Sequence, residues 1–230
     1  MSTLVKVARY HLVMPVQYLG WGWGLLAFTF AVNVIIFATN PATHPDPRYT
    51  GALSSFFIIY FVRGAYSIGK SLPFALTLGV SRRTYYLGTA LLAVASSCTE
   101  GLALTGLQAI ERATGGWGVD MGFFRVPYLL DGPWYQTWLT LFVGLTLLFV
   151  YGMWFGIVQR RWSLVGTIGF IAAQVTVLLA ASLVVTWSHG WAGVGHFFTS
   201  LTAAGLTGVL AALAVVLLVG GHATIRRATV

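Results

Sequence analysis

Eight consecutive residues, Gly64-Ala65-Tyr66-Ser67-Ile68-Gly69-Lys70-Ser71, match the phosphate-cradling pattern G-x-x-x-x-G-K-[ST]. That pattern performs chemistry only between a parallel strand and a helix, with a carboxylate elsewhere to hold Mg²⁺. Here the eight residues close a long apolar run, and Pro73 follows at once. The five acidic residues of the chain never end an apolar strand, so no metal-holding partner is in view. The match therefore reads as a helix end and not as a nucleotide site. His189 and His196 share one connecting segment but lack the i,i+4 spacing or cysteine partners of a zinc site. Serines inside the apolar runs have no His or Asp companion to act as base. Cys98 is the only cysteine, which removes both a disulfide framework and a paired redox role. No catalytic site, cofactor site or metal site is expected on this chain.

Two ionisable residues, Arg63 and Glu100, stand inside apolar runs, where charge is expensive and commonly functional. Arg63 precedes Lys70 by seven residues, about 10 Å along a helix at about 1.5 Å per residue. Its long side chain can reach a polar boundary from there. Glu100 lies fourteen residues beyond Tyr86, about 21 Å, and has no such escape. In a straight hairpin the two are offset by about 11 Å, so a direct pair requires tilt or a bend. Two readings stay open for Glu100: a protonated carboxyl bonded to Ser or Thr neighbours, and a group lining or gating a route through the membrane.

The elements that carry these residues follow from composition. Of the 230 residues, 57% are hydrophobic and 8% are charged. A soluble domain needs roughly a quarter of its residues charged, so a water-soluble globule is excluded. The apolar residues arrive in runs of the ~20 residues that a bilayer-crossing helix requires. Six fit: about 17–39, 51–69, 86–110, 134–158, 164–187 and 198–221. Residues 1–16, with Lys6, Arg9, Tyr10 and His11 among aliphatic neighbours, form an expected interfacial amphipathic helix. The first run is longer than the 7–15-residue core of a signal peptide and is read as a retained span. Three prolines, Pro41, Pro45 and Pro47, mark the turn after it.

Charge tests this layout independently. The segments on one side hold Lys6, Arg9, Lys70, Arg82, Arg83, Arg160, Arg161, Arg226 and Arg227 and no acidic residue. The other side holds Arg48, Arg112 and Arg125 against Asp46, Glu111, Asp120 and Asp131. The Lys/Arg bias predicts an all-α integral membrane protein of six spans, both termini cytoplasmic. It also accounts for the net charge of +8 without nucleic acid. The longest outer connection is 111–133, and no internal repeat is evident. Gly20/Gly24 and Gly152/Gly156 have G-x-x-x-G spacing, suited to close helix contact within the chain or between chains.

The inner loop 70–85 carries the sharpest pattern. Pro73 opens a short helix parallel to the membrane through Phe74, Leu76 and Leu78, and Gly79 closes it. Val80 follows, Ser81 is placed to cap the next helix, and Arg82 and Arg83 fall at headgroup level. The stretch L-P-F-A-L-T-L-G-V-S-R-R-T-Y-Y-L-G-T, residues 72–89, resembles the inner loop of small bacterial, actinobacterial-like, ABC-2-type transporter permeases. That resemblance implies a coupling helix, from Pro73 to Arg83, docked on separate ATP-binding subunits that hold ATP and Mg²⁺. It further implies a second permease copy or similar permease, residence in the bacterial cytoplasmic membrane, and export of an apolar or amphipathic compound. The 188–197 segment is shorter than the re-entrant hairpin of some members, so their outer gate does not transfer. Two other classes remain: a proton-coupled carrier using Glu100, and a membrane scaffold that recruits a soluble partner.

Overall fold

A computed structural model describes residues 20–40 and 48–227, with side chains through Thr224. The expected interfacial helix over 1–16, with Lys6 and Arg9, lies outside the described residues, as does the proline-rich 41–47 turn. Among the described residues the chain is all-α apart from one two-residue parallel pairing. Its helices are α1 (Trp21–Thr39), α2 (Ser54–Tyr66), α3 (Leu72–Thr77), α4 (Arg82–Ala113), α5 (Trp134–Trp187), α6 (Trp191–Ser200) and α7 (Ala203–Arg227). Four of them, α1, α4, α5 and α7, are long and apolar enough to cross a membrane.

Helix α5 would be about 81 Å long if straight, far more than a bilayer is thick. It breaks at Ser163, whose φ of 56° and ψ of −156° are non-helical. Its arms, 134–162 and 164–187, fold back on each other. Tyr151 bonds Gln174 through its hydroxyl, and Phe155 packs edge-on against Phe170 at 5.2 Å. The break falls in the Gln159–Ser163 turn expected between two spans. Helix α2 has only 13 residues, but a π turn (Ser67–Ser71) joins it directly to α3. After α5 the connection is itself helical, as α6, and a break at Leu201 and Thr202 separates it from α7.

The core is built on the first arm of α5. Helix α2 lies so close to it that a Cβ on Gly64 would sit 1.9 Å from the Phe149 carbonyl oxygen, and one on Gly152 2.0 Å from that of Phe61. Gly156 makes the same approach to Ala65. The Gly152/Gly156 spacing thus serves packing within the chain, and Gly64 of the G-K-S match belongs to the same crossing. Helices α4 and α7 pack on the other sides of this arm. Indole and phenol donors stitch the helices through backbone carbonyls: Trp138 to Cys98, Trp154 to Leu217, Tyr85 to Ser67 and Tyr86 to Leu218. Such bonds suit an environment without water, where every polar group needs an internal partner.

These contacts gather the charged loops at opposite ends of the bundle. Lys70, Arg82, Arg83, Arg160 and Arg161 share one end: Gly69 meets Gln159, and Tyr85 meets Ser67. Glu111, Arg112, Asp120, Arg125 and Asp131 share the other, with β1 (Arg48–Tyr49) paired in parallel to β2 (Met121–Gly122). There the 114–133 connection turns back over the bundle as an ordered cap.

Candidate functional site

Two constellations concern function. The first is buried. Arg63 on α2 donates through Nη1 to Glu100 Oε1 on α4 at 2.9 Å. The two residues are 9% and 4% exposed. The guanidinium carbon lies 5.1 Å from the centre of the Tyr60 ring, itself fully buried. On the far side α1 passes at Gly22, where a Cβ would come within 2.6 Å of Arg63 Nη2. The Tyr60 hydroxyl lies within reach of the Glu100 carboxylate and of Ser96, and the Ser97 hydroxyl is buried with no hydrogen-bond partner among the described residues.

Arg63 and Glu100 pair directly, so the straight hairpin that would offset them by about 11 Å is not what the chain forms. Helices α2 and α4 both lean on the first arm of α5 and scarcely touch each other. A gap of side-chain width therefore separates them. Tyr60 and Arg63, among the longest side chains available, cross it from α2, and Gly22 leaves room for them under α1. Arg63 thus spends its guanidinium inside the bundle instead of reaching for headgroups. Glu100 has an ionic partner in place of Ser or Thr neighbours; Ser96 bonds the Ala93 carbonyl oxygen.

The second constellation sits at the basic end. Pro73 lies in the first turn of α3. Gly79 ends it with φ of 78°. The amide of Val80 reaches the Ala75 carbonyl oxygen at 3.1 Å and that of Gly79 reaches Leu76 at 3.0 Å. This is the paired Schellman closure, which requires the left-handed conformation that glycine adopts without strain. The Ser81 hydroxyl then accepts from the Thr84 amide at 3.2 Å and caps α4. Over residues 72–83 the chain buries Leu72 and Ala75, half-buries Pro73, Leu76, Val80 and Arg82, and exposes Phe74, Leu78, Gly79, Ser81 and Arg83. Leu78 is 62% exposed and Phe74 51%. The two constellations are joined through α2 and α4 but do not touch.

The G-K-S residues form no cradle. They are wound into the end of α2 and the π turn, a helix and not a strand leads into them, and the Lys70 ammonium lies 5.3 Å from the centre of the Tyr66 ring. Among the described residues no three of His, Cys, Asp and Glu group closely enough to hold a metal ion. What the buried cluster can do chemically is hold three helices through one desolvated ion pair, or release them when that pair parts.

Sequence reasoning passed over Tyr60, Gly22 and Glu111. Tyr60 lies three residues before Arg63 on the same helix face, a readable signal. Gly22 sits in a glycine-alternating run with nothing to distinguish it from Gly24, which has open space around it. Glu111 falls in sequence among the charges of the 111–133 connection, yet it is 1% exposed and belongs to α4. No family model, no curated protein and no solved structure matches this chain.

Proposed function

We propose that the chain is the membrane-embedded permease subunit of an ATP-driven transporter of the ABC-2 kind. In this reading it crosses the bacterial cytoplasmic membrane six times: by α1, by α2 with its π turn, by α4, by each arm of α5, and by α7. The basic end and both termini face the cytoplasm, following the Lys/Arg bias. The observation that supports it best is the short helix α3. It stands at the basic end, closed by Gly79 before the Ser81 cap of α4, with Phe74 and, just after it, Leu78 exposed. Exposed apolar side chains, followed in sequence by Arg82 and Arg83 and mounted outside the crossing helices, suit docking onto a protein. ATP hydrolysis then belongs to separate subunits, whose closure pushes on α3. The permease acts as a pair, with itself or a similar chain, and the cargo is an apolar or amphipathic compound.

Coupling by push requires that α3 transmit force, and it is continuous through the π turn with α2, which carries Arg63. Displacing α3 therefore loads the Arg63–Glu100 pair. The test is co-purification of an ATP-binding cassette subunit from the native host with the tagged chain, followed by reconstitution. Vesicle transport that needs both proteins and ATP supports the proposal. Transport driven by a proton gradient with the chain alone favours the Glu100 carrier, and a partner recruited without any transport favours the scaffold.

A further inference from the structure

The cap at the end opposite α3 is fastened unequally to the helices beneath it. Glu111, in the last turn of α4, gathers four donors in its buried carboxylate. Oε2 accepts from the Phe123 and Phe124 amides at 2.9 Å each and from the Trp117 indole at 3.0 Å. Oε1 accepts from the Arg125 amide at 3.1 Å. One turn earlier on the same face, Gln108 donates to the Leu130 carbonyl oxygen at 2.6 Å, and Arg112 donates to the same oxygen at 2.9 Å. Both ends of the cap, 117–125 and 130, are thus bonded to a single helix face. Hydrogen bonds to an ionised acceptor are roughly twice as strong as neutral ones, and more so where water is excluded.

Toward α1 the cap offers ring edges. Phe30 meets Trp117 at 4.9 Å, Phe123 at 5.3 Å and Phe124 at 6.1 Å between centroids. Arg48 bridges Val119 on the cap and Asn40 at the end of α1, and the β1–β2 pairing, with the Thr50 amide on the Gly122 carbonyl oxygen at 3.0 Å, ties the cap to the segment that enters α2 and not to α1 itself. Aromatic edges separate and rejoin without leaving an unsatisfied polar group. The Glu111 bonds cannot, because opening them strands a buried carboxylate and three amides.

We infer that the cap is a lid that belongs to α4: it stays with α4 and parts from α1 when this end of the bundle opens. Helix α4 runs unbroken from the Ser81 cap to Glu111. A displacement applied beside α3 at one end therefore reaches the lid at the other through one rigid helix. The use made of the opening rests on the permease reading; the anchorage of the lid does not.

The test is hydrogen exchange on the full chain in phospholipid nanodiscs. In the unmodified chain, amides at 123–125 are expected to exchange as slowly as those of α4 at 104–111. Glu111→Gln is expected to speed them by roughly ten- to a hundredfold, and Phe30→Ala to change them far less. Loop-like exchange in the unmodified chain would overturn the assignment, even if Glu111→Gln fails to fold. So would Phe30→Ala freeing the same amides as much as Glu111→Gln does, or Glu111→Gln leaving them slow. The chain is measured alone, so failure to assemble with an ATPase would count against the permease reading and leave the lid standing.

Discussion

Replacing Arg63 and Glu100 by Leu, singly and together, tests the buried pair as an energetic unit. At 2.9 Å and an effective dielectric of about 20, the Coulomb attraction is about 6 kcal/mol. Desolvation of the two ions costs several kcal/mol each, so the pair comes out close to neutral against apolar residues of similar size. Each single variant strands one ion in a site less than a tenth exposed, at about 3–5 kcal/mol. The double variant strands none and is expected within about 1 kcal/mol of the parent, or more stable. Independent sites would add to within about 0.5 kcal/mol; here the non-additivity should be about 6 kcal/mol or more. Denaturant unfolding in mixed micelles, followed by the fluorescence of the nine tryptophans, measures all four corners of the cycle. A coupling below about 1 kcal/mol would refute a desolvated ion pair and leave two separately solvated groups. Under the permease proposal the double variant, assembled with its ATP-binding subunits, is expected to be stable but impaired, since a Leu pair has no charge to hand over when the helices part. Full transport by it would make the pair a packing strut.

The α2–α5 crossing should reject any side chain. Gly64→Ala or Gly152→Ala is expected to cost about 3 kcal/mol or more through backbone clash, while Gly24→Ala, with open space around it, stays within about 0.5 kcal/mol; thermal unfolding compares them. Gly79→Val, at φ of 78°, should cost about 1–2 kcal/mol and weaken ATPase association in pull-downs, with unchanged association showing that α3 is not the contact. The purified chain alone should bind no Mg-ATP in titration calorimetry, because the G-K-S residues are helical; micromolar binding would overturn that reading.

Hydrophobicity alone made the chain all-α and apolar enough to enter a membrane, since burying a backbone without water leaves few options besides helices. Composition along the chain also marked the short α3 helix, its Gly79 stop and the Ser81 cap of α4, because these are local: each depends on residues fewer than six positions apart. Lys/Arg placement separated the two sets of loops, and the packing of Ser67 on Tyr85 and Gly69 on Gln159 gathers the basic set at one end. The sequence likewise singled out Arg63 and Glu100 as costly, without showing that they meet. Their meeting is a property of three helices. It exists because Gly64, Gly152 and Gly156 draw α2 onto α5, leaving between α2 and α4 a gap that only long side chains span. Glu111 is the clearest case of what tertiary structure decides. Nothing in its neighbourhood distinguishes a solvated loop carboxylate from a buried one, until the chain twelve to fourteen residues later folds back and brings three amides to it. Partners so far along a chain with left-handed residues at Gly115, Gly116, Trp117, Gly118 and Asp120 are fixed by the path of the turn, and that path is a non-local outcome.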